Sequence, residues 1–326
     1  MTRDNLPSLD AVVDQVLTKH SDPSHLVSMV DLRTYCEEAG HPADRRTIYK
    51  SIAMLKEAGA DIVFVRKSGR QGYYLKHLFT NAEALFLMNA CAESSTLSTP
   101  ETKQLIKKIH QLLPEETVSQ MPPLSMNPVK SENHQILDDV QKLFPAIANN
   151  LYVEFLYYDI TVTKKKKYRK ENQKYHLVPY AIVSENGRYY VVFYSDTHHS
   201  FGNYRLDKMD AITVTDEHSE GVLFSLQDHL RNSFQMYHGS PQTVTAVFDN
   251  SLSSIVFDQF GEDIVISKVE DKTFTASIRT TVTPTLVSWF LQFYDKIVIK
   301  KPKSLIEEYQ KMADVLIHTY PKEGRE

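Results

Sequence analysis

The stretch from Asp44 to Leu75 limits what this chain can fold into more than any other. Ile48, Ile52 and Leu55 recur at i, i+4 and i+7, the spacing that lines one face of a helix. Asp44 is a good N-cap and Gly59 a stop, so a helix is predicted from Asp44 to Ala58. Period two then takes over. Ile62-Val63-Phe64-Val65 and Tyr73-Tyr74-Leu75 flank the turn Lys67-Ser68-Gly69-Arg70-Gln71-Gly72, which is a hairpin signal. Upstream, Leu9, Val12, Val13, Val16 and Leu17 predict one helix. Met29, Leu32 and Cys36 predict a second, closed by Gly40 and Pro42. Three helices followed by a hairpin read as a winged helix-turn-helix.

Charge gives that unit a direction. The whole chain carries a net charge of −4. Between His41 and Phe79, however, the eight basic residues Arg45, Arg46, Lys50, Lys56, Arg66, Lys67, Arg70 and Lys76 face only Asp44, Glu57 and Asp61. A local basic face outweighs the total, because phosphate attraction acts through the contacting surface. Arg46, Tyr49, Lys50 and Ala53 lie opposite the apolar stripe of the predicted helix, which can therefore enter a major groove. The candidate DNA-binding residues are Arg45, Arg46, Thr47, Tyr49 and Lys50 on the helix and Arg66, Lys67 and Arg70 on the wing. Arginine suits guanine because its fork donates two bonds to O6 and N7, and wing residues meet phosphates.

The 326 residues predict two or three domains. Helices are read over Asn81 to Glu93, Pro100 to Leu113 and Glu132 to Asn149. A Pro/Ser-rich linker is read from Pro114 to Lys130. From Leu151 the pattern changes to strands: Tyr152 to Tyr158, Tyr175 to Val183, Arg188 to Tyr194, and Asn203 to Thr215 with a break. Short strands at that spacing suggest a small barrel. A helix from Gln227 to Met236 follows. Beyond it the order is strand, helix, two strands, helix, strand and closing helix, a ferredoxin-like plait.

Several classes of function find no footing. No Gly-rich phosphate loop, His-Glu-x-x-His or Cys-x-x-Cys occurs, so no cofactor, metal or catalytic residue is assigned. His198 and His199 are adjacent and, on a strand, would face opposite sides. The only cysteines, Cys36 and Cys91, read as buried thiols of a reducing compartment. The start MTRDNLPSLD lacks a signal-peptide core and no apolar run of membrane-spanning length occurs, which predicts a cytoplasmic protein. The run Lys164-Lys165-Lys166-Lys167-Tyr168-Arg169-Lys170, six basic residues in seven, would draw nucleic acid, but such a run more often reads as a mobile, solvated hairpin loop.

The residues resemble a family. Asp44 to Ile52, with Leu55 and Gly59, look like the winged helices of WYL-domain transcriptional regulators, departing at Ser51, where an Asp is frequent. Ser51 is expected to alter a helix-surface contact. Tyr152 to Tyr158 resembles the first strand of a WYL domain, and His176-Leu177-Val178-Pro179-Tyr180 the second. Gly187-Arg188-Tyr189-Tyr190-Val191 stands where the name-giving Trp-Tyr-Leu belongs, and Asn203 to Met209 resembles the Arg-Leu-Asp-Arg-Ile element. Phe224-Ser225-Leu226, Phe234, Trp289 to Phe293 and Pro302 resemble the WCX extension.

The resemblance implies a bacterial, homodimeric regulator with a sensor barrel. Its ligand would be a nucleotide or short single-stranded nucleic acid, held by Arg205 with stacking from Tyr157, Tyr189 or Tyr190 and help from His176 and Lys208. The expected fold is multidomain α+β: winged helix-turn-helix over 1–79, helical linker over 80–130, Sm/SH3-like β-barrel sensor over 131–219 and a plait over 220–326. The alternatives are a constitutive dimeric DNA-binding protein without effector and a nucleotide-processing enzyme. A WCX helix near Trp289 is one candidate dimer face.

Overall fold

A computed structural model describes residues 7–67, 69–231, 236 and 241–320, with Lys67 and Arg231 described by their backbone only. The protein is a mixed α/β chain with three sheets and two compact units, divided between Leu137 and Asp138.

In the N-terminal unit three helices precede a hairpin. They are α1 (Leu9–His20), α2 (Met29–Glu38) and α3 (Arg45–Glu57). Each start is capped by a side chain: Ser8 for α1, Ser28 in a capping box for α2, and Asp44 for α3. Val12, Val13, Val16, Leu17, Leu32, Cys36, Ile48 and Ile52 form the core between them, with Leu55 partly buried against it. Burial of each large aliphatic side chain there contributes about 1.5–3 kcal/mol.

The hairpin strands β1 (Ile62–Lys67) and β2 (Arg70–Leu75) pair antiparallel from Ile62↔Leu75 to Lys67↔Arg70. The strands therefore run two residues (β1) and three residues (β2) further toward the turn than the period-two pattern showed, and Ser68 at the tip lies outside the described residues. Gly69 takes a φ of +81°, which the tight reversal requires. Val27 adds a third, single-bridge strand: its N–H donates to the Tyr73 carbonyl at 2.9 Å, and Tyr73 N–H returns a bond at 2.8 Å.

The helices α4 (Asn81–Glu93) and α5 (Thr99–His110) each begin with a capping box. The Pro/Ser-rich stretch is not a free linker. It contains α6 (Glu115–Gln120), which docks on the end of α1 through Lys19–Glu115, His20–Glu116 and Thr117–Asp22. Downstream, the Lys130 ammonium donates to the carbonyls of Cys91, Ala92 and Ser94 and to the Thr102 hydroxyl. It thus occupies acceptors that the end of α4 leaves open. The helix α7 (Ile136–Ala148) crosses the boundary between units.

The second unit opens with β3 (Leu151–Ile160), β4 (Lys166–Tyr168), β5 (Tyr175–Glu185), β6 (Arg188–Ser195), β7 (Ser200–Arg205) and β8 (Met209–His218). Their order is β4-β3-β5-β6-β7, with β8 on the other edge of β3. One long strand thus serves three partners, and a register shift against β8, where Ala211 has a φ of +52°, curls the sheet. The segment read as one broken strand, Asn203 to Thr215, is two strands joined by a 3-10 turn at Leu206–Lys208. Phe155, Tyr157, Tyr175, Phe193 and Tyr204 fill the inside of the curl, with ring centroids 4.9–5.6 Å apart between Phe155 or Tyr204 and their nearest neighbours.

After α8 (Leu226–Arg231) come β9 (Pro241–Asp249), α9 (Ser253–Phe260), β10 (Val265–Val269), β11 (Thr273–Thr281), α10 (Pro284–Leu291), β12 (Ile297–Lys301) and α11 (Lys303–Thr319). The sheet order is β10-β11-β9-β12, all antiparallel. Phe248, Val256, Ile278, Leu286, Phe290 and Leu305 pack beneath it. Trp289 is half-buried, its ring 4.9 Å from Phe260 and 5.0 Å from Phe293.

Candidate functional site

On α3 the inward residues Ile48, Ser51 and Ile52 are buried, whereas Arg45, Arg46, Thr47, Tyr49 and Lys50 are all exposed. Ser51 corrects an expectation. It does not lie on the helix surface. It is 2% exposed, and its hydroxyl donates to the Asp10 carboxylate of α1. Thr47 works partly as a structural residue: its hydroxyl and its N–H both donate to Asp44, and these bonds hold the Asp44 carboxyl below its ordinary range. Tyr49 lies half exposed at the hairpin residue Tyr73, whose own hydroxyl is pushed up in pKa first by burial and then by Tyr49.

Arg66 and Arg70 are exposed on the hairpin; the Lys67 side chain lies outside the described residues. Among the described residues none of Arg45, Arg46, Lys50, Arg66 and Arg70 forms an ion pair. Asp61, one of the three acids of the segment, is taken up by Lys76 at 2.9 Å. The uncompensated charge is thus concentrated on the N-terminal half of α3 and the hairpin.

In the curled sheet the candidate ligand residues divide between surfaces. Tyr157 points inward among the buried rings, and its hydroxyl accepts the Arg205 N–H at 3.1 Å. Arg205 is the cross-strand partner of Tyr190. Its guanidinium is already engaged by Asp207 in a two-pronged bond of 3.0 and 2.7 Å. Lys208 lies 3.5 Å from Asp159, which also takes the two-pronged bond of Arg169, and Arg169 in turn covers the Tyr157 ring at 5.1 Å. Tyr157, Arg205 and Lys208 are thus linked at one end of the sheet, and Tyr190 stands beside Arg205 on the face that Val192 and Phe201 occupy.

His176 and Tyr189 do not join them. His176 alternates with the inward Tyr175 and Leu177, stacks on Tyr152 at 4.4 Å and meets Glu217 at 3.2 Å. Tyr189 neighbours Tyr190 on β6 and so points to the opposite face. Tyr190 itself packs toward Ala181, Phe201 and Phe224, where residues after β8 cover the sheet. Phe224 fits that role, with its ring 4.6 Å from Phe201; Phe234 lies outside the described residues.

Sequence reasoning missed the acids Asp159, Asp207 and Asp210 and the placement of Arg169. The run Lys164 to Lys170 is not loop throughout either: it contains β4, and Lys166 and Tyr168 both bind Asp210, at 2.6 and 2.7 Å. Burial, followed by the charge of Asp210, pushes the Tyr158 hydroxyl up to about 12. Burial alone pushes the Cys36 thiol up, and it also dominates at Cys91. Among the described residues no three His, Cys, Asp or Glu side chains are placed to hold a metal ion, and no helix is long and apolar enough to cross a membrane. His198 and His199 sit exposed in the turn after β6.

Comparison with known proteins follows this division of the chain. Residues 138–214 match the WYL domain and residues 240–316 the WCX domain. Among solved structures, the chain is similar to proteasome accessory factor B/C (PafBC) of Arthrobacter aurescens, at 14% identity and a TM-score of 0.30. That alignment covers 96% of this chain and 49% of the other, so the chain spans about half its length. It is also similar to a CRISPR Cas-related protein, at 12% identity and a TM-score of 0.25, covering 95% of this chain and 84% of that one. No curated protein matches. The chain carries a WYL domain over residues 138–214 and a WCX domain over residues 240–316.

Proposed function

We propose that this protein is a cytoplasmic, homodimeric DNA-binding transcription regulator of bacterial type, with residues 1–79 as its winged helix-turn-helix. The observation that carries the reading is the cationic, unpaired face of α3 beside an exposed basic hairpin, in a unit of three helices and a Val27-bridged hairpin. Arg46 and Lys50 reach base edges or phosphates from α3; Arg45 and Tyr49 flank them, and Thr47 mainly fixes the start of the helix. Arg66, Lys67 and Arg70 meet the backbone from the wing. Residues 80–130 form the helical connection, 131–219 the Sm/SH3-like sensor barrel and 220–326 the ferredoxin-like plait. The sheet order β10-β11-β9-β12, with α9 and α10 as crossovers, supports the last of these names.

The test uses duplexes that the full chain selects from a random library. Arg46→Ala should weaken binding to the selected duplex by roughly 1–3 kcal/mol and relax its sequence preference. Unchanged affinity and preference would overturn the assignment. One winged helix offers little contact for tight specific binding, so two copies are expected on the duplex. A light-scattering mass of one chain, with and without DNA, would overturn the dimer.

The effector reading is that a phosphate-bearing nucleotide or short nucleic acid binds at Arg205, with Lys208, Tyr157 and Tyr190 around it. Asp207 is then the ligand's competitor, and binding requires the fork of Arg205 to exchange one anion for another. The same ion pair favours a second reading, a regulator that dimerises and senses nothing. Titration with nucleotides and short oligonucleotides separates the two.

A further inference from the structure

The basic run after β3 is a built finger. The end of β3 pairs with β4 through Tyr158↔Tyr168, Asp159↔Lys167 and Ile160↔Lys166. The turn is closed by Thr161, whose N–H donates to the Lys165 carbonyl at 2.9 Å and whose hydroxyl accepts the Lys165 N–H at 3.1 Å. Lys164 occupies the turn at a φ of +60°, where glycine or asparagine would meet less backbone strain.

Within the run, the basic side chains have two fates. Lys166 binds Asp210 and lies 4.4 Å over the Tyr158 ring, Arg169 binds Asp159, and Lys170 lies 4.0 Å over the Tyr175 ring. Those three anchor the finger. Lys164, Lys165 and Lys167 are exposed and, among the described residues, form no ion pair. The acids at the base are Asp159 and Asp210, both engaged, and the exposed Glu171.

We propose that the β3–β4 finger is a second DNA contact, whose Lys164, Lys165 and Lys167 bind the phosphate backbone of duplex DNA without reading its sequence. This rests on the DNA-binding reading above and adds a surface in the other unit. Rings would be needed to hold unstacked single strands. Here Tyr157, Tyr158 and Tyr175 are buried, Tyr168 is tied to Asp210, and the exposed side chains beside the lysines are Ile160 and Val162. Ammonium groups without a stacking platform fit phosphates on a closed duplex.

The experiment titrates the full chain against a mixed-sequence duplex over a range of salt. In the variant carrying Lys164→Ala, Lys165→Ala and Lys167→Ala, the slope of log affinity against log salt should fall by up to about 2.7, with a loss of roughly tenfold or more at low salt. Replacing the same three lysines with arginine should restore both, and an unchanged melting temperature of the alanine variant shows that the fold survives. An unchanged slope in that variant overturns the finger and leaves α3 as the DNA contact. A wild-type chain that binds no duplex overturns both readings. A loss confined to oligo-dT, or to vesicles containing phosphatidylserine, overturns the duplex assignment in favour of a single strand or a membrane surface.

Discussion

The Ser51 hydroxyl donates to the Asp10 carboxylate across 41 residues of chain, and so fastens the inner face of α3 to the first turn of α1. Removing it with Ser51→Ala should cost about 1 kcal/mol. Ser51→Asp should cost more, because it sets a second carboxylate against Asp10, and Asp10→Asn in the same chain should recover part of the loss. Urea unfolding, with amide exchange followed in α1 and α3, measures both effects. A Ser51→Asp chain as stable as the wild type would deny the bond any role.

Gly72 holds a place that no larger residue can take. A Cβ there would stand 2.8 Å from the Val27 carbonyl oxygen and 3.0 Å from the Leu26 Cβ, and the Val27–Tyr73 bridge leaves the backbone little room to retreat. Gly72→Ala should therefore lower stability by about 1–3 kcal/mol. Faster exchange of the Tyr73 amide, which donates to Val27, is the local signature.

Asp22 gives the N-terminal unit an acid-sensitive joint. Burial raises the pKa of its carboxyl. The His25 side chain, the His25 and Ser24 amides and the Thr117 hydroxyl together more than offset that and hold it below the usual 3.8. A carboxyl depressed in the folded state stabilises fully above its unfolded value, and that stabilisation is lost as pH falls through the folded value. The advantage of the wild type over Asp22→Asn should thus be full at neutral pH and shrink below about pH 4. Parallel denaturation curves across that range check the sign, and a constant difference would refute it.

Lys130 ties the segment after α6 to the end of α4 through three carbonyls and the Thr102 hydroxyl. Burial, partly countered by Cys91 and Glu93, lowers its pKa. Lys130→Met keeps most of the length of the side chain and removes every donor, so it should cost about 1–3 kcal/mol. A melting temperature unchanged from the wild type would show that water replaces the ammonium without loss.

Arg205 and Asp207 supply a paired test of the effector reading. Arg205→Ala should weaken nucleotide or oligonucleotide binding in the WYL domain and reduce its salt dependence. Asp207→Asn frees the guanidinium and should tighten binding by roughly tenfold, the equivalent of one lost competing anion contact of about 1.4 kcal/mol. Calorimetric titration reads both. Binding that ignores both changes would move the effector elsewhere or remove it.

The sequence alone determined most of the local elements, though not α6 or β4. The spacing of Ile48, Ile52 and Leu55, the cap at Asp44 and the stop at Gly59 are short-range facts, and they fixed α3 to within a residue at each end. The order of strands and helices after Val244 was legible for the same reason, since period and capping act over a few residues. The capped start of α4 at Asn81 was legible too.

Tertiary structure alone decided which side chains meet. Strand alternation sets Tyr189 and Tyr190 on opposite faces. Only the curl of the sheet and the cover supplied by Phe224 decide which of them packs toward Phe201. The partners of Ser51, Lys130 and Lys166 lie 41, up to 39 and 44 residues away in the chain. No local period encodes such pairs. Even Arg205 and Asp207, two residues apart, pair because the 3-10 turn at Leu206–Lys208 brings their side chains to the same side.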